Sequence, residues 1–95
     1  MKKLAIVTGA NKGLGLSVAQ QLVQDNYKVI LACRDKTKGK QAEKFLGENT
    51  TFIELDLSNP KSIDGFSNEI SRTYSGVDVL YNNAGLIYQD FNLTE

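Results

Sequence analysis

The most informative segment of the chain runs Thr8-Gly9-Ala10-Asn11-Lys12-Gly13-Leu14-Gly15. A continuous apolar stretch, Leu4 to Val7, precedes it, and apolar residues at helical spacing follow it from Leu16 to Val23. The continuous stretch is typical of a strand that is buried on both faces, and the later spacing is typical of an amphipathic helix. Glycines in this pattern between a strand and a helix predict a loop that binds a phosphate group.

Each glycine of this loop has its own expected role. Gly9 allows a tight turn with a positive φ, Gly13 lets the backbone approach a pyrophosphate, and Gly15 lets the helix pack closely against the sheet. The first-turn amides of the helix have no partners within the helix, so they point at the anion together with the positive end of the helix dipole. A flexible turn is the alternative interpretation, which the surrounding βαβ pattern disfavours.

Strand and helix patterns alternate along the rest of the chain. We expect strands at 27–33, 51–57 and 77–81, a helix over 36–46, and another that starts with Asn59 as its cap and Pro60 in its first turn and ends at Gly76. Strands separated by helices run parallel, with right-handed crossovers and helices on both faces of the sheet. Residues 1–95 therefore predict a single, partial α/β domain: a Rossmann-type doubly wound parallel sheet, β-α-β-α-β-α-β, with strand order 3-2-1-4.

The amino-acid composition limits the kinds of partner and metal site that we expect. Lys and Arg total 11, Asp and Glu total 11, and His is absent, so no net field attracts nucleic acid or an anionic membrane. One cysteine, Cys33, excludes an intramolecular disulfide, and a zinc site would have too few ligands. The apolar run at the N-terminus is too short for a signal peptide, and no run reaches the roughly 20 residues of a membrane helix. We expect a cytoplasmic protein without a metal site.

The spacing Thr-Gly-x-x-x-Gly-x-Gly resembles that of the short-chain dehydrogenase/reductase family, and it differs from the commoner Gly-x-Gly-x-x-Gly. Within the family, residues 9–15 and Ala32-Cys33-Arg34-Asp35 are most similar to NADPH-dependent carbonyl reductases. Asn82-Asn83-Ala84-Gly85 resembles the family's Asn-Asn-Ala-Gly signature. The resemblance covers essentially all 95 residues. It implies an oxidoreductase that transfers a hydride from NADPH to a carbonyl carbon.

The residue after the second strand bears on the choice of dinucleotide. Sites that prefer NAD usually place a carboxylate there, whereas this chain has Arg34, whose planar guanidinium suits a 2′-phosphate. Lys12 is a second cation that the fold can bring near the same spot. Asp35 could instead reach the ribose, but we expect it to cap the next helix. We predict NADP(H), with ordinary solvated charges as the alternative interpretation of Lys12 and Arg34.

The resemblance also assigns roles to later residues. It implies that Asp56 accepts a hydrogen bond from the adenine amino group and that the backbone at Leu57 contacts the ring; a plain polar turn is the alternative. Consecutive Asn residues can tie the fourth strand to the first loop, with Asn83 against the cofactor ribose. The predicted cofactor-binding residues are Gly9, Asn11, Lys12, Gly13, Leu14, Gly15, Arg34, Asp56, Leu57, Asn83, Ala84 and Gly85.

The family's catalytic residues are a Tyr, a Lys four positions later and an upstream Ser. The residues four positions after the tyrosines of this chain are Leu31, Asp78, Gly85 and Asn92. We therefore assign no catalytic residue and expect no turnover from this chain alone.

Three interpretations stay open. The first is the cofactor-binding part of a reductase whose small-molecule carbonyl substrate binds to residues beyond this sequence. The second is an inert NADP(H)-binding module. The third is an assembly unit that self-associates through strand 77–81, which we expect to be an unpaired edge.

Overall fold

The computed structural model describes residues 2–83 and, for one further strand, the backbone of residues 86–91. Strands and helices alternate as the sequence predicts, and one additional strand follows. The elements are β1 (Leu4–Thr8), α1 (Gly13–Gln24), β2 (Lys28–Cys33), α2 (Lys36–Leu46), β3 (Thr50–Glu54), α3 (Pro60–Thr73), β4 (Val77–Asn82) and β5 (Leu86–Phe91). The predicted bounds of α2 are confirmed, whereas β3 and α3 each end three residues earlier than expected.

The strands form one sheet in the order β3-β2-β1-β4-β5. β1 pairs in parallel with β2 and with β4, and β2 pairs in parallel with β3, so the predicted order 3-2-1-4 is confirmed. β5 pairs antiparallel with β4, with Val79 opposite Gln89. The expectation that strand 77–81 is an unpaired edge is therefore wrong. Antiparallel strands need only a short connection, and the chain folds back onto β4 directly.

Both faces of the sheet are covered, which explains the continuous apolar runs of β1 and β2. In β2, Val29 and Leu31 face α1 and α2, while Ile30 and Ala32 face α3. All four are fully buried. Because side chains alternate along a strand, burial on both faces requires an apolar residue at every position. None of the helices within the described residues is both long enough and apolar enough to cross a membrane.

Side chains of the chain itself cap α2 and α3. The Asp35 carboxylate accepts a hydrogen bond from the Lys38 amide at 3.0 Å, which confirms the expected cap of α2. Asn59 accepts from the Lys61 amide at 3.0 Å, and Pro60 occupies the first turn of α3. Lys12, the N-cap residue of α1, makes no such side-chain hydrogen bond. Among the helices at residues 2–83, α1 is thus the one whose first-turn amides no side chain caps.

Candidate functional site

The carboxyl ends of the parallel strands open into a cleft of about 530 Å³. β1 and β4 lie side by side here, and the order of the strands reverses between them. Open α/β sheets bind ligands at such a switch point. The cleft is lined by Thr8, Gly9, Asn11, Ala32, Cys33, Arg34, Leu55, Asp56, Leu57, Ser58, Asn82 and Asn83.

The glycine loop is built as tightly as the sequence predicts. Gly9 has φ of 62°, and a Cβ there would lie 2.7 Å from Nδ2 of Asn83. A Cβ on Gly15 would overlap the carbonyl group of Gly9, so the start of α1 packs closely on the loop that follows β1. Gly13 differs, because its φ of 58° suits glycine but a Cβ would meet nothing within 4 Å. The start of α1 thus combines open space at Gly13 with first-turn amides that no side chain caps, and helix starts of this kind can hold an anion.

Thr8 ties the two sides of the cleft together. Its Oγ1 accepts a hydrogen bond from the Asn83 amide at 3.0 Å and donates to Oδ1 of Asn82 at 3.4 Å. The expected link between the fourth strand and the first loop is thus present, and Thr8, at the end of β1, mediates it. Thr8 is 8% exposed, and these two hydrogen bonds satisfy its buried hydroxyl.

The cations of the site lie in two adjoining hollows. Arg34 lines the main cleft at the end of β2. Lys12 lines a smaller hollow of about 360 Å³ beside α2, together with Lys38 and Gln41. Asn11 borders both hollows, so they adjoin at the glycine loop. The carboxylate next to Arg34 in the sequence, that of Asp35, is held by the cap of α2.

The turn after β3 holds the Asp56 carboxylate in place. Oδ1 of Asp56 accepts hydrogen bonds from the amide of Ser58 at 3.0 Å and from its hydroxyl at 2.6 Å. The Asp56 amide donates to Oγ of Ser62 in α3 at 2.8 Å. The hydrogen bonds from the side chain and then the backbone of Ser58 lower the pKa of Asp56, and the charge of Arg34 adds to this.

Cys33 also lines the cleft, but burial makes it a weak nucleophile. Its side chain is 5% exposed, and its thiol donates to the carbonyl of Asp35 at 3.4 Å. Burial raises the pKa of the Cys33 thiol, which keeps it protonated at neutral pH. Among the residues that the structure describes, no group of His, Cys, Asp and Glu side chains is arranged to hold a metal ion.

Ten of the twelve predicted residues are described by the structure, and six of them lie at the cleft. Its lining contains Gly9, Asn11, Arg34, Asp56, Leu57 and Asn83. The described lining does not contain Lys12, Gly13, Leu14 or Gly15, and Leu14 is 63% exposed on α1. Ala84 and Gly85 lie outside the described residues. Thr8, Cys33 and Ser58 were not predicted to line the cleft. Thr8 and Cys33 end β1 and β2, and Ser58 lies in the turn after β3, so all three lie at the edge of the sheet where ligands are expected.

Comparison with known proteins gives a consistent result. The family model described as short chain dehydrogenase matches residues 3–95. The protein named carbonyl reductase (NADPH) 1 from Mus musculus is 38% identical over 92 residues, which is 93% of this chain and 33% of that protein. The structure titled menthone neomenthol reductase from Mentha piperita superposes with a TM-score of 0.79 at 35% identity, covering 90% of this chain and 32% of that one.

A variant of actinorhodin polyketide ketoreductase, whose structure is titled as holding NADPH, also superposes with a TM-score of 0.79, at 28% identity. The match covers 86% of this chain and 33% of that one. The chain thus spans about one third of the length of the relatives that it matches. The family model covers nearly the whole sequence, and the fold superposes on both solved structures with TM-scores of 0.79. The chain belongs to the short-chain dehydrogenase/reductase family.

Proposed function

We propose that this chain is the NADP(H)-binding part of an oxidoreductase that reduces a carbonyl group to an alcohol. Relatives named as NADPH carbonyl reductases support the reaction, and the cleft at the switch point supports the place of binding. The chain spans about one third of the length of such relatives, and we expect cofactor binding without turnover from these residues alone.

The observation that carries the choice of NADP(H) is the pair of neighbours at the end of β2. Arg34 lines the cleft, whereas the Asp35 carboxylate is engaged by the Lys38 amide. A ribose with free hydroxyls would need that carboxylate, but a 2′-phosphate needs a cation. The guanidinium of Arg34 can donate two parallel hydrogen bonds to phosphate oxygens.

The remaining residues of the site suit the other parts of the dinucleotide. The open space at Gly13 and the uncapped amides of α1 would hold the pyrophosphate. Asp56 and Leu57 would contact the adenine, Asn83 the ribose, and Lys12 the 2′-phosphate from the adjoining hollow. When bound, the cofactor supplies the hydride for the carbonyl carbon. The residues of this chain bind and orient it, and none of them is proposed to move a proton.

A calorimetric titration of the chain with NADPH and NADH tests the proposal. We expect NADPH to bind at least about tenfold more tightly, which corresponds to roughly 1.4 kcal/mol. Arg34→Ala should remove most of that preference, because hydrogen bonds to a charged group contribute about 1.5–3 kcal/mol. NADH should bind the variant almost as well as it binds the wild-type chain.

Lys36→Ala is the matched control. It removes an equal charge two positions away, at a side chain that pairs with Glu54 at 3.6 Å on the surface. An exposed ion pair of this kind contributes little, so the variant should keep the full preference for NADPH. Equal binding of NADH and NADPH by the wild-type chain would overturn the choice of cofactor. An equal loss of the preference for NADPH in Arg34→Ala and Lys36→Ala would show that this preference depends only on net charge.

A further inference from the structure

The turn after β3 contains a hydrogen-bond pair that the proposed function leaves unused. Ser58 directs both its amide and its hydroxyl to the same oxygen of Asp56, Oδ1, at 3.0 and 2.6 Å. The shorter distance is typical of a hydroxyl that donates to an ionised carboxylate. Within residues 2–83, the structure gives Oδ2 of Asp56 no hydrogen-bond partner. The second oxygen therefore has its acceptor capacity available at the cleft.

The main chain of Asp56 is held as well. Its amide donates to Oγ of Ser62 at 2.8 Å, which attaches the turn to the first part of α3. Asp56 and Ser58 both line the cleft, and so does Arg34 from the next strand. An Asp side chain at a surface turn ordinarily exchanges between rotamers. Here one oxygen is fixed by two bonds and the backbone by a third, so the carboxylate is ordered before a ligand arrives.

From this geometry we propose that Ser58 is a positioning residue that makes the cleft select adenine over a 6-keto purine. It does so by holding Asp56 so that Oδ2 can accept a hydrogen bond from an amino group on the edge of the base. Adenine offers such a group at its 6-position, whereas hypoxanthine has a carbonyl oxygen there that would face the carboxylate. The inference rests on the proposed function, since it assumes that Asp56 lies beside the base of a bound dinucleotide.

The selectivity should be visible as a ratio of two affinities. Exchange of adenine for hypoxanthine removes a hydrogen bond from an amino group to a carboxylate. The wild-type chain should therefore bind NADPH about ten- to hundredfold more tightly than its hypoxanthine analogue. In Ser58→Ala the carboxylate keeps the amide bond but loses the shorter hydroxyl bond. We expect that ratio to fall about three- to tenfold, because NADPH must then order an Asp56 side chain that is less restricted before binding.

The experiment is a calorimetric titration of both dinucleotides into the full chain and its variants. Ser58→Thr keeps a hydroxyl and should restore the ratio. Ser71→Ala removes an exposed serine hydroxyl at the end of α3 and should leave the ratio unchanged. Urea unfolding of each variant measures its stability. We expect Ser58→Ala to lower the selectivity for adenine without a comparable fall in the urea midpoint.

The outcomes separate the two proposals. If the wild-type chain binds neither dinucleotide, the proposed function itself fails. If it prefers NADPH and Ser58→Ala retains the full preference, the proposed function stands and the role of Ser58 is wrong. If Ser58→Ala weakens both dinucleotides equally, the serine stabilises the cleft without reading the base, which also overturns the inference.

Discussion

Replacing Gly15 with Ala sets two effects of opposite sign against each other. Gly15 lies in the first turn of α1, where the helix propensity of Ala alone would add about 1 kcal/mol to stability. A Cβ at this position, however, would overlap the carbonyl group of Gly9 and lie 3.3 Å from Cα of Ala10. These are backbone atoms, which cannot rotate away as a side chain can. Overpacking costs about 1–3 kcal/mol, and we expect the upper end here.

The net effect of Gly15→Ala should therefore be a loss of about 2 kcal/mol in the free energy of unfolding. For a domain of this size each kcal/mol lowers Tm by roughly 4–8 °C, so Tm should fall by about 10 °C. Urea unfolding followed by circular dichroism measures the change directly. Displacement of α1 from the loop should also weaken NADPH binding.

Gly65→Ala is the matched control, because Gly65 lies inside α3 and a Cβ there would meet nothing within 4 Å. Helix propensity is then the only effect, and the free energy of unfolding of the variant should rise by up to about 1 kcal/mol. The two substitutions are chemically identical and should shift the midpoint in opposite directions. If Gly15→Ala were stabilised as much as Gly65→Ala, the close packing of α1 on the loop would be refuted.

Further predictions concern three side chains around the sheet. Asp78→Ala should cost about 1–3 kcal/mol, because Oδ2 of Asp78 accepts from the Leu4 amide at 2.8 Å; Asp78→Asn keeps an acceptor and should cost less in the same urea assay. Cys33 should react with iodoacetamide at least about tenfold more slowly in the native than in the unfolded chain, and equal rates would contradict its burial. Because the pKa of Asp56 is lowered in the folded state, its contribution to stability is present above about pH 4 and is lost as the pH falls through the folded pKa. Ser58→Ala should raise that pKa in a carboxyl NMR titration, and an unchanged value would refute the cause given for it.

The elements with a clear apolar pattern or a side-chain cap could be predicted from the sequence. β1 is apolar from Leu4 to Val7 and β2 from Val29 to Cys33 because both faces of the sheet are covered, and the Asp35 cap fixes the start of α2. The fifth strand could not be predicted in this way. Its pairing uses the backbone groups at the free side of β4, and residues 86–91 carry no period of two that would reveal it.

The candidate site likewise contains residues that the sequence pattern predicts and residues whose positions depend on tertiary packing. The glycine loop has a recognisable spacing because each glycine answers a separate steric demand. The position of the Lys12 side chain depends instead on the extended backbone at that residue, with φ of −162°, and on how α2 packs beside it. Ser58 was missed since it belongs to a turn without periodicity. The pattern Asp-x-Ser before a helix is nevertheless typical of a turn closed by an Asp side chain, and it could have indicated this residue.

Amide NMR with NADP⁺ would show whether NADP(H) binds at the carboxyl ends of the strands, as we propose. We expect the amide signals of Gly9, Asn11, Arg34 and Ser58 to shift on titration, because all four residues line one cleft. Signals at the opposite end of the sheet, such as that of Lys28, should stay in place. Shifts confined to that opposite end, or no shifts at saturating NADP⁺, would contradict the account.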